Sequence, residues 1–166
     1  MNRTIAILAA FGVLLLLIFK GQRVIAMVTR TALYKNNDSP YEQAIQYYAN
    51  QFGVDSDLVK AIIMQESAYD PDARNPSDPS YGLMEVTHGA AQDILGYDVT
   101  DEQLMTTDLN IRVGAAYLAR QVNKHGLQGG ISAYNAGHPI MGNIENYVNP
   151  VMNYYAQYKG VFDANE

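Results

Sequence analysis

The chain has 166 residues, of which 48% are hydrophobic and 17% charged, with a net charge of −6 and a pI near 4.9. That composition suits a folded domain rather than a disordered chain, and the acidic balance argues against a general nucleic-acid binder. The absence of cysteine excludes disulfides and thiolate zinc sites.

The charge is unevenly placed. Residues 1–37 carry five basic side chains and no acidic one, whereas residues 38–166 hold the other six basic residues and all 17 acids. A basic, apolar end joined to an acidic body reads as a membrane-facing segment followed by a soluble domain. Residues 5–19 are uncharged and apolar, and are expected to form a helix. At 1.5 Å per residue such a helix spans roughly 22 Å, short of a ~30 Å hydrocarbon core. The length fits a signal peptide with a weak cleavage site at residues 24–26, but Lys20 and Arg23 intervene, which is unusual for a cleaved signal. A retained membrane anchor competes with that reading and is preferred to it. Residues 1–37 are thus a membrane anchor or signal segment, and 38–166 one folded domain.

From Ser39 onward the pattern is helical. Ser39 and Pro40 predict the start of a helix that Gly53 ends. Asp55 or Ser56 caps the next, in which Leu58, Ala61, Ile62 and Gln65 recur at helical spacing. Three prolines between Tyr69 and Tyr81 predict a long loop. Thr87 starts a short helix, and Thr100 with Gln103 reads as a capping box. Asp108 is expected to cap the longest helix, which runs to Gly126 with apolar residues on two faces and is therefore buried nearly all round. "GGISAYNAG" reads as a short helix or turn, and Asn149 with Pro150 opens the last helix. No stretch alternates over five or more residues, so the body reads as one mostly α domain.

Glu66 stands out within "IIMQESAYDP". Leu58, Ile62 and Glu66 share one helix face, which is apolar, so the carboxyl is expected to be at least partly buried. Burial disfavours the charged form and raises the pKa, which suits a general acid. A surface carboxylate ending a helix is the plainer alternative. "SYGLMEVT" (residues 80–87) and "SAYNAG" (residues 132–137) are short Gly-bearing turns that let backbone approach a ligand, or loops between core helices.

Four stretches in order, "ESAYDPDA", "YGLMEV", "SAYNAG" and "NYVNPVMNYY", resemble the soluble-type lytic transglycosylase family, over roughly residues 40–160. The resemblance implies a lysozyme-like fold: mostly α, a single domain with a long Pro-rich loop, here preceded by the N-terminal apolar helix. Residue by residue, it implies that Glu66 is the single catalytic glutamate and that Ser67 helps position the glycan. Met84 would line the sugar cleft, Tyr134 and Asn135 would contact substrate, and Tyr147 would lie near the catalytic carboxyl. The implied substrate is peptidoglycan, cut between N-acetylmuramic acid and N-acetylglucosamine with formation of a 1,6-anhydro ring, without metal or cofactor. One position departs from the family pattern: Glu85 stands where Gln is usual. A second carboxylate there would raise the pKa of Glu66, serve a water-dependent reaction as in lysozyme, or point elsewhere. A structural protein that only binds glycan is the alternative outside enzymes.

An enzyme facing the periplasm or cell wall conflicts with the basic flank that follows residues 5–19, since positive flanks tend to stay cytoplasmic. A phage virion component would escape that conflict, and a larger envelope or virion assembly is the corresponding partner. His88, His125 and His138 have no metal-ligand spacing, and Asp70, Asp72 and Asp78 lack the glycine and terminal glutamate of a calcium loop. Of the 13 tyrosines, Tyr81, Tyr134 and Tyr147 are expected to face sugar, and Tyr117, Tyr154 and Tyr155 to pack the core.

Overall fold

The computed structural model describes residues 39–160; the expectations about residues 1–37, including the anchor at 5–19, lie outside the described residues. Ser39 shapes the entry. Its hydroxyl accepts from the Tyr41 amide at 3.2 Å and its carbonyl from the Glu42 amide at 3.0 Å, so a turn precedes helix α1 (Glu42–Phe52), which begins later than Pro40 suggests. Gly53, at φ 70°, ends it in the left-handed conformation.

Helix α2 (Ser56–Ser67) is capped by Asp55, whose carboxylate accepts from the Asp57 amide at 2.9 Å. Leu58, Val59, Ala61, Ile62 and Ile63 are all at most 2% exposed, so this helix is buried on every side through its middle. Each such Leu or Ile contributes about 1.5–3 kcal/mol by leaving water. Lys60 is buried with them, its ammonium 2.6 Å from Asp57 and 3.7 Å from Glu42. Immediately after α2, Ala68 and Tyr69 have φ of 50° and 62° and turn the chain sharply behind Glu66 and Ser67.

The segment expected to be a Pro-rich loop carries a small antiparallel sheet. Strands β1 (Arg74–Asn75), β2 (Ser80–Tyr81) and β3 (Val86–Thr87) pair in the order β1-β2-β3. Two-residue strands are too short to show alternation. Pro71, Pro76 and Pro79 fall outside the paired positions, where a missing N–H does no harm.

Helix α3 (His88–Leu95) starts at Thr87, whose hydroxyl accepts from the Ala90 amide, and α4 (Asp101–Leu104) carries the expected capping box between Thr100 and Gln103. Helix α5 (Thr107–Ala136) has Thr106, not Asp108, at its N-cap. Asp108 instead accepts the Tyr48 hydroxyl, at 2.9 and 3.0 Å to its two oxygens, and so ties α5 to α1. Gly126 breaks α5 at φ 72°, ψ 176°, where the sequence marks its end, but helix resumes through "GGISAYNA". At Gly130 a Cβ would stand 2.4 Å from the Val122 Cα, so only glycine lets the second piece lie against the first. A 3₁₀ turn (Met141–Asn143) and a π turn (Ile144–Val148) lead without interruption into α6 (Asn149–Tyr158), with Pro150 in its first turn.

Helix α2 packs chiefly on α6, and α1 on α5. The architecture is therefore mostly α with one small sheet, and the core lies around α2. One buried amide joins sheet and helices. Asn110 is fully buried; its Nδ2 donates to the Tyr81 carbonyl at 2.6 Å and the Leu104 carbonyl at 2.8 Å, and its Oδ1 accepts from the Met84 amide at 2.8 Å. Gly82 (φ 72°) lies so close that a Cβ would come within 2.7 Å of that Nδ2.

Asn110→Asp turns the donor that serves the Tyr81 and Leu104 carbonyls into an acceptor at a fully buried position. It should lower unfolding stability by about 3 kcal/mol or more in urea titrations at neutral pH. An unchanged midpoint would mean that this amide does not hold the turn.

Candidate active site

Glu66 lies in the last turn of α2, half-buried, with the hydroxyl of Tyr147 donating to its Oε1. Burial pushes the Glu66 carboxyl up to about 7; the Tyr147 hydrogen bond pulls it down, and the charge of Glu85 adds to the rise. Tyr147 is itself 5% exposed, and burial followed by the neighbouring Glu66 charge raises its phenol well above the ordinary range. It therefore stays a hydrogen-bond donor while Glu66 changes state. The geometry is a carboxyl that holds its proton near neutral pH and has a fixed neutral partner.

Beside it opens a cleft of about 320 Å³, whose walls include Glu85, Thr87, Gly114, Tyr117, Tyr134 and Asn135. Glu66 is not itself among its lining residues. Glu85 and Tyr134 connect the two: both line the cleft, the charge of Glu85 acts on Glu66, and that of Glu66 acts on Tyr134. The Glu85 carboxyl is raised by burial, offset by the Ser80 hydroxyl that donates to its Oε2 at 3.1 Å, and raised further by Asp78. Its backbone has φ 42°, left-handed for a residue with a Cβ, and is held there by the turn that the Gly82 carbonyl and Glu85 amide close at 3.1 Å.

The expected site residues occupy different places. The Ser67 hydroxyl donates to the Leu83 carbonyl at 2.8 Å, so it fastens the turn after β2 to the end of α2. Met84 does not line the cleft with its side chain, as the resemblance implies. It is fully buried, and its sulfur occupies the space that a Cβ on Gly114 would need. Its carbonyl instead accepts the Tyr134 hydroxyl at 2.8 Å, fixing that ring in the wall. Asn135 is exposed at the cleft, and its Oδ1 accepts from the buried Asn143 at 3.1 Å, which turns its own N–H groups outward.

Four further residues were missed or misplaced by sequence reasoning. Tyr117, expected in the core, lines the cleft and meets Tyr134 edge to face at 5.7 Å between ring centres. Asn110 and Asn143 were not singled out, although a polar residue on an otherwise apolar helix face is a readable signal for the first. Tyr81, expected to face sugar, donates to Asp101 at 2.8 Å, has the Arg74 guanidinium over its ring and is not among the residues lining the cleft. Among the described residues no group of three or more His, Cys, Asp or Glu is placed to hold a metal.

A helical domain with a half-buried, proton-retaining carboxyl beside an open cleft that tyrosines help to line has a candidate active site. Residues 43–154 match the Transglycosylase SLT domain, well over half of the chain, and the chain belongs to that family. Its fold is similar to solved structures of lytic transglycosylases. One is an inactive mutant of the lytic transglycosylase Slt from Pseudomonas aeruginosa, with TM-score 0.63 and 26% identity over 78% of this chain. Another is the 70 kDa soluble lytic transglycosylase from Escherichia coli, with TM-score 0.66 and 21% identity over 77% of this chain. A complex of a 70 kDa soluble lytic transglycosylase with bulgecin A matches at TM-score 0.66 and 22% identity over 74% of this chain. The chain spans 26%, 26% and 24% of the lengths of these three proteins.

Because the folded Glu66 carboxyl titrates near 7 rather than 4.5, its neutral form favours the fold. That contribution is complete below pH 4.5 and is lost as pH rises through 7, about 3 kcal/mol in all. Glu66→Gln should therefore be more stable than wild type at pH 8 and equal to it near pH 4, read from denaturant midpoints. Equal stability at both pH values would place the carboxyl in water.

Proposed function

We propose that the chain is a peptidoglycan lytic transglycosylase whose single acid–base group is Glu66. The observation that carries the reading is the Glu66–Tyr147 pair: a carboxyl titrating near 7, fixed by a phenol beside a cleft, within the segment that matches the family. The protonated Glu66 would give its proton to the oxygen between N-acetylmuramic acid and N-acetylglucosamine as the C1–O bond breaks. The resulting carboxylate would take the proton of the muramic 6-hydroxyl, whose oxygen closes on C1 as a 1,6-anhydro ring. The substrate supplies the nucleophile, so one carboxyl can serve where ordinary glycosidases use two. Tyr147, held neutral, stabilises the carboxylate between the two proton transfers. Tyr134 and Asn135 would contact the glycan from the cleft wall, the outward Asn135 N–H groups meeting carbonyl or hydroxyl acceptors. Residues 5–19 would hold the domain at a membrane with the cleft toward the cell wall.

Glu85 gives a second reading its specific support, because a second carboxylate in the cleft could activate water and make the enzyme a hydrolase of the same bond. Digestion of purified cell wall followed by mass spectrometry separates the two. Anhydro-muropeptides, each one water lighter, are expected; reducing ends alone, abolished by Glu85→Gln, would establish the hydrolase. Glu66→Gln should lower kcat/KM by about 10²–10⁴; clearing of cell wall at the wild-type rate would leave only a glycan-binding protein. The wild-type rate should fall as pH rises through about 7, where Glu66 loses its proton. Tyr147→Phe, which removes the bond favouring the carboxylate, should move that fall to higher pH, and Glu85→Gln to lower pH.

A further inference from the structure

Glu85 has a chemistry that single-acid catalysis does not use. It is a half-buried carboxylate on the cleft wall, and its Oε2 takes only a neutral hydroxyl from Ser80. Among the described residues no salt bridge reaches it, and no Lys, Arg or His lines the cleft. Arg120 touches the Tyr117 ring but spends its charge on Asp93 at 2.7 Å. Asp78, also in the lining, brings a like charge toward Glu85 rather than a compensating one. The lining also holds two aromatic rings, Tyr117 and Tyr134, which meet edge to face.

A carboxylate without a cationic partner in a cleft that also presents tyrosine rings favours a cationic group. A primary ammonium gains from the charge and from the ring faces, and relieves the cost of desolvating the carboxylate. A carboxylate on the substrate would be repelled by the same wall. We propose that Glu85 is a specificity-determining residue that selects glycan strands bearing a primary ammonium group. Two sources carry that chemistry on a peptidoglycan strand: a glucosamine that lacks its N-acetyl group, and the free amine of a diamino acid in the stem peptide. The proposal rests on the cleft being a glycan site, as the preceding reading holds, and adds the charge class of the glycan.

Binding by the Glu66→Gln chain tests it without turnover. Calorimetry would compare two pairs of strands: peptide-free strands before and after partial N-deacetylation, and stem-bearing strands with the amine free or chemically acetylated. In at least one pair the ammonium-bearing strand should bind about fivefold tighter, and the pair that shows it names the source. The preference should collapse at about 1 M salt, where the screening length is ~3 Å. It should approach unity in Glu66→Gln/Glu85→Gln and shrink in Glu66→Gln/Asp78→Asn. Equal affinities within both pairs, tighter binding of the acetylated strands, or a preference unchanged by salt and by Glu85→Gln would each overturn the proposal. None of these outcomes bears on wild-type cleavage of cell wall, which decides the catalytic reading separately.

Discussion

The site depends on how one four-residue turn is held. Residues 82–85 link β2 to β3 and are buried except at Glu85, so their backbone groups need partners from the protein itself. Three elements supply them. Ser67 from α2 takes the Leu83 carbonyl, Asn110 from the first piece of α5 takes the Met84 amide, and Tyr134 from the second piece takes the Met84 carbonyl. The Ala73 carbonyl, ahead of β1, accepts the Gly82 amide at 2.9 Å. Each bond alone is worth about 1 kcal/mol, but leaving any one group unpaired in the interior costs more. The turn therefore locks the end of α2, which carries Glu66, to the wall that carries Glu85 and Tyr134. Residues such as Ser67 and Met84 act here chiefly as fasteners, whatever further contact Ser67 makes with a ligand.

The same turn explains the strain at Glu85. A side-chain-bearing residue at φ 42° is held by partners on both sides, and its carboxyl is aimed into the cleft as a result. Glu66 is placed by other means: its position at the end of a helix buried all round, and a phenol brought by the π turn. The two carboxyls thus feel each other across segments that Ser67 ties together, and it is burial that lifts Glu66 to about 7.

Much of this is legible in the sequence. The apolar face of Leu58 and Ile62 located Glu66, Gly53 and the Thr100–Gln103 box marked real helix ends, and Gly126 marked a real break. What escaped had physical causes. Strands of two residues leave no periodic trace, and Ser39 and Thr106 begin turns and helices at positions where neighbouring polar residues look equally suitable. Helix resumes after Gly126 because Gly130 can touch Val122, a contact between backbones that no periodicity announces. Met84 and Tyr117 exchanged the roles expected of them. Thioether and ring are both apolar enough for a core, and it is Met84 whose side chain fills the space beside Gly114. Asn110 can be read as a polar residue on an apolar helix face, but its partners Met84 and Tyr81, 26 and 29 residues away, are set by the fold.

The bond between Tyr147 and Glu66 joins residues 81 positions apart. Helix α6, continuous with the turn that carries Tyr147, must dock on α2 before the carboxyl is enclosed. A chain whose last helix has yet to dock holds an ordinary carboxylate, ionised at neutral pH and without its phenol. The acid thus comes into being only once that long-range contact is made, and a chain truncated before α6 lacks it.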